Sequence, residues 1–297
     1  MKILLTGRNG QVGWELRRAL APLGGVVACD REAADLSRPE TLAALVASVR
    51  PDVIVNAAAY TAVDLAEEQE ALALRVNGEA AGVLAQAARD VGALFVHYST
   101  DYVFDGTATA PYTETAATHA VNAYGRTKLA GEQAIADAGG DWLTFRTTWV
   151  YGARGRNFLL TMLRLAGERE TMRVVADQIG TPTSARMIAD LTAHAVSHAM
   201  RERAADRFES GLFHMTADGQ TTWHGFASAI VEAARAARGD AIRVHTIEPI
   251  PSDAYPTPAR RPAWSVLDNT RFDQRFGLQR LGWQQALALV MDDLKDC

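Results

Sequence analysis

Tyr124 and Lys128 stand four residues apart in the segment Tyr124-Gly-Arg-Thr-Lys128. On a helix that spacing puts both side chains on one face, one turn apart. An ammonium beside a phenol favours the phenolate and lowers the phenol's pKa. Such a pair is a tunable proton donor for a carbonyl oxygen whose carbon is receiving a hydride. Ser99-Thr100-Asp101 comes earlier in the chain, and the Thr100 hydroxyl can hydrogen-bond the same oxygen. General-acid help of this kind contributes about 10²–10⁴-fold to a rate. The Tyr-x-x-x-Lys spacing also arises by chance on exposed amphipathic helices. Its place after a fourth apolar strand, in a chain that opens on a glycine loop, argues for chemistry.

That loop runs Gly7-Arg8-Asn9-Gly10-Gln11-Val12-Gly13, after a strand pattern and before a helical one. The first glycine permits a tight turn, the second lets backbone approach a phosphate, and the third lets helix pack on strand. Free N–H groups and the helix dipole attract a pyrophosphate there. The next strand pattern ends in Asp30, where a carboxylate would take the adenosine ribose hydroxyls. Asp30 favours NAD, whereas the guanidinium groups of Arg8 and Arg31 suit a 2′-phosphate. NADPH and NADH both stay open. Asp35 and Leu36 follow, and Ala57, Ala58, Ala59 and Tyr60 end the third strand with small side chains that admit a flat cofactor. With Gly7, Arg8, Asn9, Gly10, Gln11 and Val12, and with Tyr124 and Lys128, they form the expected cofactor-facing set.

The elements that must position these groups alternate in type. Short branched runs at 2–6, 26–30, 52–58, 94–101 and 141–150 read as buried strands. Helical patterns lie at 11–20, 39–49 and 70–91, and around Tyr124. This alternation predicts an α/β fold, a Rossmann-type doubly wound parallel sheet with ligands at the carboxyl ends of its strands. Beyond residue 152 the pattern loosens: helices at 157–167, 184–200, 222–237 and 283–294, and strands at 172–177, 211–216 and 244–250. The stretch 249–262 carries five prolines and reads as a loop. We expect an NAD(P)-binding domain over 1–152 and a smaller, discontinuous α/β substrate-binding domain over 153–297. Strands near 171–177 and 211–217 are candidates to return to the first.

Composition narrows the class. The net charge is −5 and no basic block dominates, which argues against nucleic acid. No apolar run approaches a membrane span. The two cysteines, Cys29 and Cys297, give no basis for a structural disulfide, and a reducing cytoplasm fits. His97 and the other histidines are scattered. His194 and His198 share a helical face without acidic partners, so they read as surface or packing residues rather than a metal site.

The motifs together resemble the extended short-chain dehydrogenase/reductase family, and within it the branch of dTDP-sugar 4-ketoreductases. The resemblance rests on Gly7–Gly13 with Gln11, Asn56–Asp64, Ser99–Gly106, Tyr124–Lys128, Arg146–Gly152, Asp177–Thr183 and Arg261–Asp268. It covers nearly the whole chain in order. It implies Thr100, Tyr124 and Lys128 as the catalytic triad, with Val63, Asp101, Tyr102, Phe104 and Trp149 lining a sugar-nucleotide pocket. It implies reduction of the C4 ketone of dTDP-4-dehydro-β-L-rhamnose to dTDP-L-rhamnose, for cell-surface polysaccharide. Trp149 could stack on a sugar or thymine face. A diphosphate needs cationic forks, and one of Arg260 and Arg261, with Arg261 the first choice, is the candidate clamp.

Two other readings compete. A sugar-nucleotide 4-epimerase or dehydratase uses the same scaffold, but a dehydratase needs an acidic pair after the threonine, and Asp101-Tyr102 lacks it. A non-catalytic dinucleotide-binding regulatory subunit is the other, and the intact Thr100/Tyr124/Lys128 set argues against it. Some relatives are thought to dimerise around Mg²⁺ held by acidic side chains of the first and a later helix. Glu15 matches one of these, but Arg186 stands where relatives often carry an acid. A guanidinium offers no acceptor, so no metal is expected here and Glu15 is expected to pair with an arginine. The expected assembly is a monomer or homodimer without nucleic-acid or membrane partners.

Overall fold

A computed structural model describes residues 1–294 of the chain. The first half runs β1 (Lys2–Thr6), α1 (Gln11–Ala19), β2 (Gly25–Cys29), α2 (Leu42–Val49), β3 (Val53–Asn56), α3 (Val63–Ala66), α4 (Glu70–Leu74), α5 (Ala80–Asp90), β4 (Leu94–Thr100), α6 (Ala123–Ala138) and β5 (Trp142–Thr147). The second half runs β6 (Val150–Tyr151), α7 (Phe158–Glu168), β7 (Thr171–Val175), β8 (Ile179–Gly180), β9 (Thr183–Ser184), α8 (Ala185–Arg203), β10 (Gly211–His214), β11 (Thr221–Thr222), α9 (Trp223–Arg238), β12 (Thr246–Ile250), α10 (Thr270–Phe276) and α11 (Trp283–Asp293).

Six strands form one parallel sheet in the order β10-β5-β4-β3-β1-β2. Both faces are covered, which is why the strands read as continuous apolar runs rather than alternating ones. Along β1, Ile3 and Leu5 join a core with Leu16 of α1 and Ile188 of α8. Leu4, between them, joins the opposite core with Val46 of α2 and Leu84 of α5. The chain moves from β1 to β2 on one side and then to β3 on the other. That reversal opens a crevice outside the carboxyl ends of β1 and β3, where Gly7 and Ala57 lie. This is the doubly wound Rossmann architecture expected of the sequence.

The remaining strands are short and pair in twos. Short pairs β6–β9, β8–β11 and β7–β12 stand apart from the main sheet. Helix α9 packs on α7, β7 and β12. The segment 211–214 joins the main sheet beside β5, whereas 171–175 pairs with β12 instead.

Two expected elements are divided. The helical pattern at 70–91 contains a π-helical turn, Arg75–Glu79. There the Asn77 side-chain amide accepts from the Tyr60 N–H and donates to the Tyr60 carbonyl and to Thr127. The strand at 141–150 is broken before β6, where Trp149 adopts φ +47°. A left-handed backbone at a bulky residue cannot continue a strand. No described helix is long and apolar enough to cross a membrane. Cys29 is a buried free thiol, and Cys297 lies outside the described residues.

Candidate active site

The crevice is a cleft of about 810 Å³. One wall is the glycine loop. Gly7 has φ +74°, and a Cβ there would come within 2.7 Å of Ala57 and Ala58 backbone atoms. A Cβ on Gly13 would collide with the Gly7 carbonyl. Glycine is therefore required at both places by close backbone approach. Helix α1 begins at Gly10 with no side-chain cap and no acid in its first turn. Its amino-terminal N–H groups and dipole are left open to an anion. Gly7, Asn9, Gly10, Gln11, Val12, Asp30, Arg31, Asp35, Leu36, Ala57, Ala58, Ala59 and Tyr60 all line the cleft. Arg8 does not line it; its guanidinium is held by the Asp30 carboxylate at 2.5 Å. Asp30 sits below the ordinary carboxylate pKa, first because the Ala33 N–H bonds it, with Arg8 helping.

The other wall is built by β4, β5 and α6. Asn122 caps α6, its side chain accepting from the Gly125 N–H at 2.8 Å and donating to the Arg260 carbonyl. Glu67 accepts from the Ala123 N–H at 2.7 Å. Gly125 lets the helix start against the Tyr102 carbonyl, which a Cβ would strike. These ties bring Tyr124 and Lys128 to the end of β4, where Thr100, Asp101 and Tyr102 lie. All five residues line the same cleft, together with Val63 and Trp149. The Thr100 hydroxyl donates to Asp101 at 3.0 Å and accepts from the Tyr102 N–H at 3.2 Å. The Tyr102 and Tyr124 rings meet edge to face at 5.6 Å.

The electrostatics are dominated by burial. Lys128 is 2% exposed. Desolvation lowers its pKa to about 8, with the Glu132 carboxylate opposing. Its Nζ donates to the Tyr98 carbonyl at 2.6 Å and lies 3.0 Å from His97 Nε2. Burial raises Asp101 to about 6. The Tyr124 phenol is pushed above its ordinary value by burial and then by the Asp101 charge, and the Thr100 hydroxyl opposes. Burial thus outweighs the lowering expected from Lys128, whose Nζ is engaged with the Tyr98 carbonyl of β4 and with His97. Behind the site Glu132 grips Arg146 at 2.6 Å, both nearly fully buried.

Ser99 Oγ and Thr147 Oγ1 are buried and have no hydrogen-bond partner among the described residues. Both belong to residues lining the cleft. Unpartnered polar atoms under a crevice suit a ligand rich in hydroxyl and amide groups. With the open helix end and the glycine cradle, the residues present fit a nicotinamide dinucleotide.

Besides Arg8, two expected site residues lie elsewhere. Phe104 follows a tight 3-10 turn that directs it inward. It is fully buried and stacks on Tyr112 at 4.1 Å, so it supports the site from below rather than lining it. Arg261 lies off the cleft wall, 2.8 Å from Asp64 and 6.0 Å from the Tyr102 ring. Trp149 is on the wall, but one of its faces is already covered by Trp223 at 3.6 Å, nearly parallel. The sequence reading missed Thr147, Thr148 and Arg156 on the cleft wall, and it missed His97 beneath Lys128. Thr147 and Thr148 could have been found, because they end the fifth strand on the ligand side. Glu15 and Arg186 approach to 3.7 Å across α1 and α8, and Arg186 also meets Asp190 at 3.3 Å. No cluster of metal-ligating side chains occurs among the described residues.

Comparison with known proteins is consistent along the whole chain. The family described as RmlD substrate binding domain matches residues 1–296. A dTDP-4-dehydrorhamnose reductase of Burkholderia thailandensis is 64% identical, over 99% of each chain. The solved structure of a dTDP-4-dehydrorhamnose reductase from Clostridium acetobutylicum is 35% identical, covers 99% of this chain and 100% of its own, and superposes with TM-score 0.89. A structure of the Bacillus anthracis dTDP-4-dehydrorhamnose reductase in complex with NADP is 32% identical, covers 98% of this chain and 99% of its own, and has TM-score 0.87.

Proposed function

The chain belongs to the RmlD substrate binding domain family, and from that premise we propose that it reduces the C4 ketone of dTDP-4-dehydro-β-L-rhamnose to dTDP-L-rhamnose, with NADPH or NADH as reductant. The observation that carries the reading is one cleft with two walls. A glycine loop suited to a pyrophosphate faces a Thr100, Tyr124 and Lys128 group suited to a carbonyl. The 64% identical relative bears the same activity in its name.

Gly7, Gly10, Gln11 and Val12 would hold the pyrophosphate by backbone N–H groups, and Asp30, Arg31 and Asp35 would meet the adenosine ribose. The nicotinamide, when bound, supplies the hydride to C4. Tyr124 protonates the C4 oxygen as negative charge develops there. The Thr100 hydroxyl, held by the Tyr102 N–H, turns its one proton from Asp101 to the same oxygen and holds it in line with the phenol. Lys128, as the ammonium, stabilises the charge left on the phenol and takes the ribose hydroxyls. Val63, Tyr102 and Trp149 bound the sugar. Arg261 takes the diphosphate once it exchanges Asp64 for it. In this reading 1–152 is chiefly the NAD(P) domain and 153–297 chiefly the sugar-nucleotide domain, and the enzyme works in the cytoplasm.

The test is direct. Purified protein mixed with the ketosugar and NADPH should consume one equivalent of cofactor per sugar and release dTDP-rhamnose. Retained cofactor with no net consumption would favour a 4-epimerase, and no turnover at all would favour a regulatory subunit.

A further inference from the structure

Beneath the cleft a line of buried side chains crosses three strands. Thr6 Oγ1 donates to Asn56 Oδ1 at 2.6 Å, and Asn56 Nδ2 lies 3.1 Å from His97 Nδ1. His97 Nε2 lies 3.0 Å from Lys128 Nζ. All four residues are at least 98% buried. Burial, then the neighbouring Lys128, holds His97 well below the ordinary histidine pKa, so the ring is neutral. A neutral imidazole has one N–H and one lone pair.

The roles along this line are mutually constrained. The Ala58 N–H can only donate, and it points at the Asn56 side chain at 3.3 Å. The atom it meets is therefore the amide oxygen, which leaves Nδ2 to donate to His97 Nδ1. Nδ1 is then a lone pair, the ring proton is on Nε2, and it faces Nζ. A free amine can accept that proton's hydrogen bond while donating to the Tyr98 carbonyl. An ammonium cannot, since it has no lone pair. Charging Lys128 requires the lone pair on Nε2 and the ring proton on Nδ1. The Asn56 amide must then turn its oxygen to the ring, and the Ala58 N–H loses its acceptor.

We propose that His97 is a positioning residue that couples the charge on Lys128 to the orientation of the Asn56 amide. The uncharged lysine goes with the Nε2–H tautomer and a bonded Ala58 N–H. The ammonium goes with the Nδ1–H tautomer and an Ala58 N–H freed at the cleft wall. One proton is gained overall, on Nζ: an Nε2–H bond is exchanged for an Nδ1–H bond, and the ring stays neutral. The inference deepens the reductase reading only in calling Lys128 catalytic.

The other ionisable groups around Lys128 do not substitute for His97. Glu132, one turn on along α6, favours the ammonium but is itself held by Arg146 of β5. Tyr124 lies one turn back on the same helix. Asp101, at the end of β4, hydrogen-bonds Thr100. The π-helical turn facing α6 presents the uncharged Asn77, bonded to Thr127.

The experiment is ¹⁵N NMR of the ligand-free, full-length chain labelled at histidine. His97 is identified by its contacts with Phe95, on which it stacks at 6.0 Å. Between pH 6 and 10 the expected result is a swap of the Nδ1 and Nε2 shifts, N–H-type at Nδ1 below about 8 and at Nε2 above it. Asn56→Asp, which can only accept, should hold Nδ1–H across the range. A single tautomer throughout in the unsubstituted chain, imidazolium shifts, or a swap that persists in Asn56→Asp would overturn the proposal. With active protein, His97→Gln should move the alkaline limb of the kcat profile up by about one unit, since the amide penalty on charging Lys128 is gone. A limb that stays or falls counts against the proposal. The NMR arm needs no turnover, so a tautomer swap in an inactive protein would sustain this inference and remove the reductase reading.

Discussion

The guanidinium of Arg8 lies 2.5 Å from the carboxylate of Asp30, and the pair stands at the end of the second strand where an adenosine ribose is expected. Arg31, next in sequence, projects with its side chain 80% exposed and only a loose 3.6 Å approach to Asp35. The two arginines are therefore not equivalent. Arg8 already neutralises Asp30, which removes the repulsion that a free carboxylate would exert on a 2′-phosphate. Arg31 lines the cleft and is free to meet that phosphate. Both cofactors should support turnover, with NADPH the better. Arg31→Ala should raise the KM for NADPH by roughly tenfold, as expected for one charge-assisted contact in a solvated place, and leave NADH nearly unchanged. Steady-state kinetics with each cofactor decides, and an equal effect on both refutes the phosphate contact.

Tyr124 and Lys128 separate proton donation from binding. Tyr124→Phe keeps the ring against Tyr102 but removes the donor. Its kcat should fall by about 10²–10⁴-fold with little change in cofactor affinity. Lys128→Met should damage both turnover and cofactor binding, because the ammonium serves the phenol and the ribose. Rapid-mixing measurement of the chemical step, alongside a cofactor titration by fluorescence, reads the two quantities independently. Unaltered turnover in Tyr124→Phe removes it from the role of acid.

Some of this was legible in the sequence because it depends on near neighbours. The glycine loop, the strand before it and the Tyr124–Lys128 spacing are local patterns, and the sheet follows from apolar runs that alternate with helices. Other features depend on contacts made across the fold. His97 read as a scattered histidine because its partners, Asn56 and Lys128, come from the neighbouring strand and from α6. Phe104 turns inward because a 3-10 turn at Asp101–Val103 resets the direction that strand alternation would have given it. The break of the fifth strand at Trp149 follows from a left-handed residue stacked on Trp223, some 70 positions later. No local preference marks tryptophan for that conformation.

Asp101 gives a pH-dependent stability of unusual sign. Burial pushes its carboxyl up to about 6 in the folded chain, from the ordinary 3.8. Between these values the folded state holds a proton that the unfolded state has released. Stability therefore falls as pH rises through this window and levels off above it. Asp101→Asn removes the titrating group. The difference in Tm, variant minus parent, should rise between pH 4 and 6 and then stay constant. The corresponding change is on the order of 2–3 kcal/mol at full ionisation. A difference that is flat with pH, measured by calorimetry in matched buffers, would show that Asp101 is not held protonated by burial.

Glu15 and Arg186 bear on metal dependence. Two carboxylates facing each other across α1 and α8 could share Mg²⁺, which demands hard oxygen ligands. Here one side of that gap is a guanidinium, 3.7 Å from Glu15 and also paired with Asp190. It supplies the positive charge a cation would have brought, and it offers no lone pair. Any dimer through this face should therefore persist without divalent metal. Light scattering and turnover, each with and without EDTA, should give the same mass and rate. Arg186→Glu should reverse the logic: with Glu15, Asp190 and the new carboxylate together, the face becomes acidic, and any association should weaken in EDTA and recover with Mg²⁺. An unsubstituted chain that loses mass or rate in EDTA and regains it with Mg²⁺ would show that the arginine does not replace the cation.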